Sequence, residues 1–152
     1  MEISKKLDYA LRMLGEAAMV GEGEVVSVRY AAEHNAIPYS FARTIQHEMV
    51  KAGLLKTVRG PHGGMSLAVD ASKTTLLDIV EAIEGPVLVA GNDADAEPSG
   101  AVTQFELAWS ELGQLIRAYL SSVTLRQLVV ENLVPVASST GFELVNAATM
   151  MS

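Results

Sequence analysis

AIPYSFARTIQHEMVKAGLLKTVRGPHGGMSLAV, residues 36–69, is the stretch on which the reading of this chain turns. Pro38 suits the first turn of a helix, where its missing N–H costs nothing, and Gly53 suits the stop that follows Lys51-Ala52. Phe41, Ile45 and Met49, at steps of four, mark the buried face, and Leu54 joins them in holding the helix. Tyr39, Ser40, Arg43 and His47 line the opposite face, with Thr44, Gln46 and Lys51 at its flanks. Leu54–Val58 and Met65–Val69 then read as two strands. A basic, glycine-rich turn separates them: Arg59-Gly60-Pro61-His62-Gly63-Gly64. Helix, strand, basic turn, strand is the order of a winged helix-turn-helix. In that arrangement a polar helix face enters the major groove while cations and backbone N–H groups on phosphates set the register.

The flanking sequence organises itself around this stretch. Helical spacing of Ile3, Leu7, Ala10, Leu11, Leu14 and Ala17 predicts a first helix over 4–20, with Ser4 as its N-cap. Val25-Val26 reads as a short strand or an extended lead-in. Ser27 caps a second helix, Val28–His34. Asn35-Ala36 makes a tight turn, in which Asn tolerates a left-handed backbone. Downstream, Thr75 and Asp78 form a capping box for a helix ending near Glu84. Residues 86–101 carry no periodicity and read as a long loop. A long helix over 102–122 places Phe105, Trp109, Leu112, Ile116 and Tyr119 on one seam, the pattern that a partner helix covers. Thr124 and Gln127 box a last short helix over 125–130. The tail 131–152 has no strong period and is expected to be irregular. The fold class is mainly α with a small β wing: a winged domain over 1–85, the loop 86–101, helices over 102–130, and the tail.

Charge is unevenly spread. The net charge is −7, yet residues 1–69 carry 8 Lys/Arg against 7 Asp/Glu, and residues 70–152 carry 3 against 11. Within 43–59 the bases Arg43, Lys51, Lys56 and Arg59 face a single acid, Glu48. Screening confines such a face to its neighbourhood, roughly 10 Å, so an acidic body does not forbid docking on phosphates. At 49 % hydrophobic and 5 % aromatic, the core must rest on aliphatic residues, Ala and Met.

Whole classes of chemistry drop out. The chain has no cysteine, which excludes disulfides, zinc–thiolate sites, thiolate-held iron–sulfur clusters and thiol nucleophiles. His34, His47 and His62 lack metal-binding spacing, and Asn92, Asp93, Asp95 and Glu97 lack the order of a calcium loop. Catalytic motifs are missing, and RGPHGG precedes a strand, whereas a phosphate loop opens a helix. No catalytic residue, metal or cofactor is assigned, and an enzyme is not expected. There is no transmembrane-length apolar run and no signal-peptide pattern, so the expected location is the cytoplasm, with no membrane partner.

Several motifs together resemble the Rrf2 family of bacterial winged-helix regulators, the group with IscR, NsrR and CymR types. They are Tyr9-Ala10-Leu11-Arg12, Ile37-Pro38-Tyr39-Ser40-Phe41, Lys51-Ala52-Gly53-Leu54-Leu55, the turn Val58–Leu67, and Leu77–Gly85. Trp109, Thr124-Leu125 and Leu128-Val129 complete the set, which covers about residues 1–130. The resemblance implies a homodimer built on the long helix, binding double-stranded DNA at a palindromic operator, most often as a repressor. It departs in one respect. Many members carry three cysteines in the loop that is 86–106 here and bind a cluster there; this chain has none, and Asp8, where some relatives recruit a fourth ligand, cannot hold one alone. The implied DNA contacts are Tyr39, Ser40, Arg43, Thr44 and His47 on the helix and Arg59, Gly60, His62 and Gly63 on the wing. Arg43 is the side chain best suited to bidentate reading of guanine. Any effector, small molecule or protein, would act near the loop, and no residue names it. The alternative is a winged-helix module that binds a protein or small molecule without binding DNA.

Overall fold

A computed structural model describes residues 3–87 and 103–152, so the expected loop lies outside the described residues from residue 88 onward. The hub is α1 (Lys5–Val20), capped by Ser4, whose hydroxyl accepts the Leu7 N–H at 3.1 Å. Its buried residues, Leu7, Ala10, Met13, Leu14, Ala17 and Ala18, form one helical stripe. Against it pack α2 (Val28–His34), α3 (Tyr39–Lys51), α4 (Leu76–Glu84), α6 (Leu125–Val129) and strand β2 (Gly64–Leu67). Fully burying side chains such as Met13, Leu14 or Met49 contributes roughly 1.5–3 kcal/mol each.

β1 (Leu55–Val58) pairs antiparallel with β2, from Leu55↔Leu67 to Val58↔Gly64. Val26 adds a third, one-residue strand by exchanging two backbone hydrogen bonds with Met65, at 3.0 and 2.9 Å. The extended lead-in read at Val25-Val26 is thus the edge of the wing.

Both capping boxes form, Thr75 with Asp78 and Thr124 with Gln127. They sit back to back: Leu76 N–H donates to Val123 O at 3.0 Å and Leu125 N–H to Thr74 O at 2.9 Å. This clip fastens α6 and the end of α5 (Thr103–Ser121) to the start of α4.

Three expectations are corrected. Phe41 is not on the buried face of α3; it is 59 % exposed, and Ala42, Ile45, Gln46 and Met49 point inward. Steps of four drift by about 40° each, so the true stripe follows steps of three and four. The small Ala42 takes the place assigned to the aromatic. In the α2–α3 turn, Ala36 adopts the left-handed backbone (φ 53°), while Asn35 stays at φ −108°. The Asn35 amide instead donates to Glu16 Oε1 and Ala31 O, each at 2.9 Å. Finally, the tail is not irregular. β3 (Leu133–Ser138) and β4 (Gly141–Asn146) form an antiparallel hairpin, followed by α7 (Ala147–Met150). Pro135 sits within β3, where a two-stranded ribbon leaves every second N–H facing outward and proline loses nothing.

Candidate nucleic-acid interface

The helix pair that carries the candidate contacts is fixed by local chemistry. Ser27 caps α2 by accepting the Tyr30 N–H at 3.0 Å, and Ile37, buried after the turn, donates its N–H to Ala32 O at 2.8 Å. Pro38 occupies the N-cap of α3, one position outside the expected first turn. With Ala42, Ile45 and Met49 held in the core, α3 turns Tyr39, Ser40, Arg43, Thr44 and His47 to solvent.

These side chains are not all brought together. Tyr39, Arg43, His47, Gly60 and Gly63 border one open cleft of about 290 Å³ between α3 and the wing. Thr44 lies away from it, donating its hydroxyl to Ser40 O at 3.2 Å and lining a separate hollow with Phe41, Tyr9 and Lys5. Ser40, Arg59 and His62 are exposed but do not line the cleft.

Two residues at the cleft were not singled out from sequence as DNA contacts. Arg29, on α2, places its guanidinium 4.3 Å from the centroid of the Tyr39 ring. Arg43 Nη1 donates to Tyr39 Oη at 3.4 Å, so the tyrosine stands between two arginines. Gln46 borders the same cleft from the buried side of α3. Arg29 is separated from Tyr39 by ten positions and a turn, which periodicity within one helix cannot bridge; a basic residue in the helix preceding the recognition helix was the only signal available.

The wing glycines have a backbone cause. A Cβ on Gly63 would lie 2.2 Å from Val58 O, and one on Gly64 would lie 2.2 Å from Val26 O. Gly60 has space around it but sits at φ 109°, which a side chain disfavours. The glycines therefore close the hairpin tightly, and the tip presents Arg59 and His62 outward.

Electrostatically the face is open. Among the described residues, Arg29, Arg43, Lys51, Lys56 and Arg59 form no ion pair, whereas Arg12 is held by Asp8, Arg117 by Glu81 and Lys6 by Glu48. The unpaired cations flank the helix and wing, and remain free for an anionic partner.

The long helix α5 buries none of its nineteen residues. Phe105 and Trp109 are 66 % and 47 % exposed, while Leu112, Ile116 and Tyr119 are half-buried within the chain. Ile116 shares a groove with Leu7 and Val80, and Tyr119 meets Phe142 of the hairpin edge-on at 5.3 Å. The expected seam thus divides into a half used inside the chain and a half left bare. Among the described residues, no helix is long and apolar enough to cross a membrane.

Comparison with known proteins agrees with this architecture. A family model described as Rrf2, iron-dependent transcriptional regulator, matches residues 3–131. The HTH-type transcriptional regulator IscR of Vibrio atlanticus is 26 % identical over 133 residues, covering 87 % of this chain and 77 % of that protein. The structure of CymR, the global cysteine regulator of B. subtilis, superposes with a TM-score of 0.72 at 27 % identity, covering 86 % of this chain and 98 % of that one. Oxidized Staphylococcus aureus CymR gives 0.66 at 29 % identity, over 85 % of this chain and 96 % of its own. A winged helix-turn-helix with this wing and this match over most of its length belongs to the Rrf2 family of transcriptional regulators.

Proposed function

We propose that this chain is a homodimeric, sequence-specific DNA-binding regulator that represses transcription from a palindromic operator and works without an iron–sulfur cluster. The observation that carries the DNA-binding part is a set of unpaired cations: Arg29 and Arg43 line one cleft between a polar recognition helix and a glycine-closed wing, and Arg59 is exposed on that wing. Arg43 reads a base edge, Tyr39, Ser40, Thr44 and His47 support it on bases and phosphates, and Arg59 and His62 carry the wing contact with Gly60 and Gly63 backbone.

Dimerisation is supported by α5. A nineteen-residue helix with no buried residue and a bare Phe105/Trp109 end is poorly accounted for in a monomer. A second copy covering that end would place two winged domains on two half-sites, which is why the operator is two-fold symmetric.

The family model's description names iron dependence, and the residues present do not fit a thiolate-held cluster. The chain has no cysteine, and Asp8 is engaged by Arg12 at 3.2 Å. Among the described residues no group of three or more His, Asp or Glu stands where it could hold a metal ion. The signal is therefore assigned to something other than cluster chemistry.

The test is a fluorescence-polarisation titration with duplexes flanking the protein's own gene. Salt-sensitive, saturable binding by a dimer is the expected result. A folded dimer that binds no duplex would favour the module that keeps the fold without the DNA activity.

A further inference from the structure

Gln46 is a residue that folding alone does not explain. It is only 4 % exposed, yet its amide makes no hydrogen bond to any described residue. Among the described side chains no polar atom is both sealed from solvent and unpartnered, and Gln46 borders the cleft between α3 and the wing. An amide this nearly buried has little water to bond to, and an aliphatic side chain would fill the same place more cheaply. The cost is recovered if something polar enters the cleft.

The rest of the lining says what that is. Arg29, Arg43 and His47 border the cleft, and no acidic residue does. Arg29 is steadied over the Tyr39 ring, and a guanidinium held in this way loses less freedom when it binds an oxyanion. The opening, about 290 Å³, has room for a tetrahedral oxyanion. We infer that this cleft is the seat of a single phosphate of the DNA backbone, with Arg29 supplying the charge and the Gln46 amide a neutral hydrogen-bond donor. The inference rests on the DNA-binding reading above and adds two contacts to it, along with a reason for Tyr39 to be aromatic: it positions Arg29.

The two contacts have different signatures. Arg29→Met should weaken operator binding about tenfold and lower the salt slope by roughly one unit, because one cation leaves the interface. Gln46→Leu should weaken binding several-fold with the salt slope unchanged and no loss of thermal stability, because the amide makes no hydrogen bond to a described residue. A purely structural glutamine would instead lose stability and binding together. Tyr39→Phe keeps the ring under Arg29 and should retain the salt slope, whereas Tyr39→Ala should lower it.

The decisive experiment scans single methylphosphonates along an operator half-site. One position should weaken wild-type binding about tenfold and have little further effect on Arg29→Met. A scan in which no position couples to Arg29 or Gln46, with wild-type binding intact, overturns the phosphate seat and leaves the DNA-binding reading standing. Loss of all duplex binding by the wild type overturns both. A flat scan together with Arg29-dependent binding of inorganic phosphate would reassign the cleft to a free anion and refute its role on DNA.

Discussion

Ala36 holds a left-handed backbone at φ 53° between the two helices that present the candidate contacts, a conformation that costs an L-residue about 1 kcal/mol or more. Ala36→Gly should therefore raise stability by roughly 0.5–1 kcal/mol in urea unfolding, with operator affinity unchanged. A decrease would mean that the Ala36 methyl packs more usefully than its backbone suggests. At the wing, Arg59→Ala should weaken operator binding and reduce the salt slope by roughly one unit, read from titrations at several salt concentrations. Unchanged affinity and slope would remove Arg59 from the interface. Individual residues were only partly legible in the sequence. Arg43 and Arg59 could be picked out as candidates because their own elements announce them, and the titrations above test whether Arg59 touches DNA. Arg29 and Gln46 could not, since one acts across a turn and the other draws attention by lacking a partner.

Among the elements, the wing and the two capping boxes were readable in advance because their signals are local: glycine spacing, Thr followed by Asp or Gln at the third position, and alternation. The hairpin β3–β4 was not readable. Its strands hold by pairing with each other and by leaning on α6 and, through Phe142, on Tyr119, contacts that no local pattern announces. The buried face of α3 was misread by one residue for a related reason, since the space beside α1 selects the small Ala42 over Phe41. The wing is the element whose integrity is easiest to test. Gly63→Ala would force a Cβ to 2.2 Å from Val58 O, so the turn must open. Operator affinity should fall about tenfold or more while far-ultraviolet circular dichroism stays near wild type, because the core around α1 is untouched. Equal affinity would show that the tip can relax without cost.

For the whole molecule, a net charge of −7 stands beside a face of unpaired cations, the face that the proposed function gives to phosphates. The family assignment gives the fold, and the bare end of α5 gives the reason to expect a second copy. Trp109→Asp places a charge on that end without touching the core. Sedimentation should then report a monomer that is folded and binds operator with at least tenfold lower affinity, because the two half-sites are no longer linked. A dimer of unchanged stability would move the interface elsewhere. The central claim, that this chain reads DNA through the cleft between α3 and the wing, is tested most directly by polarisation titrations of wild type and Arg29→Met against one operator duplex across a range of salt. The account predicts that binding weakens steeply with salt, and that the variant loses both affinity and about one unit of slope. Salt-independent binding, or no binding by a folded dimer, would contradict it.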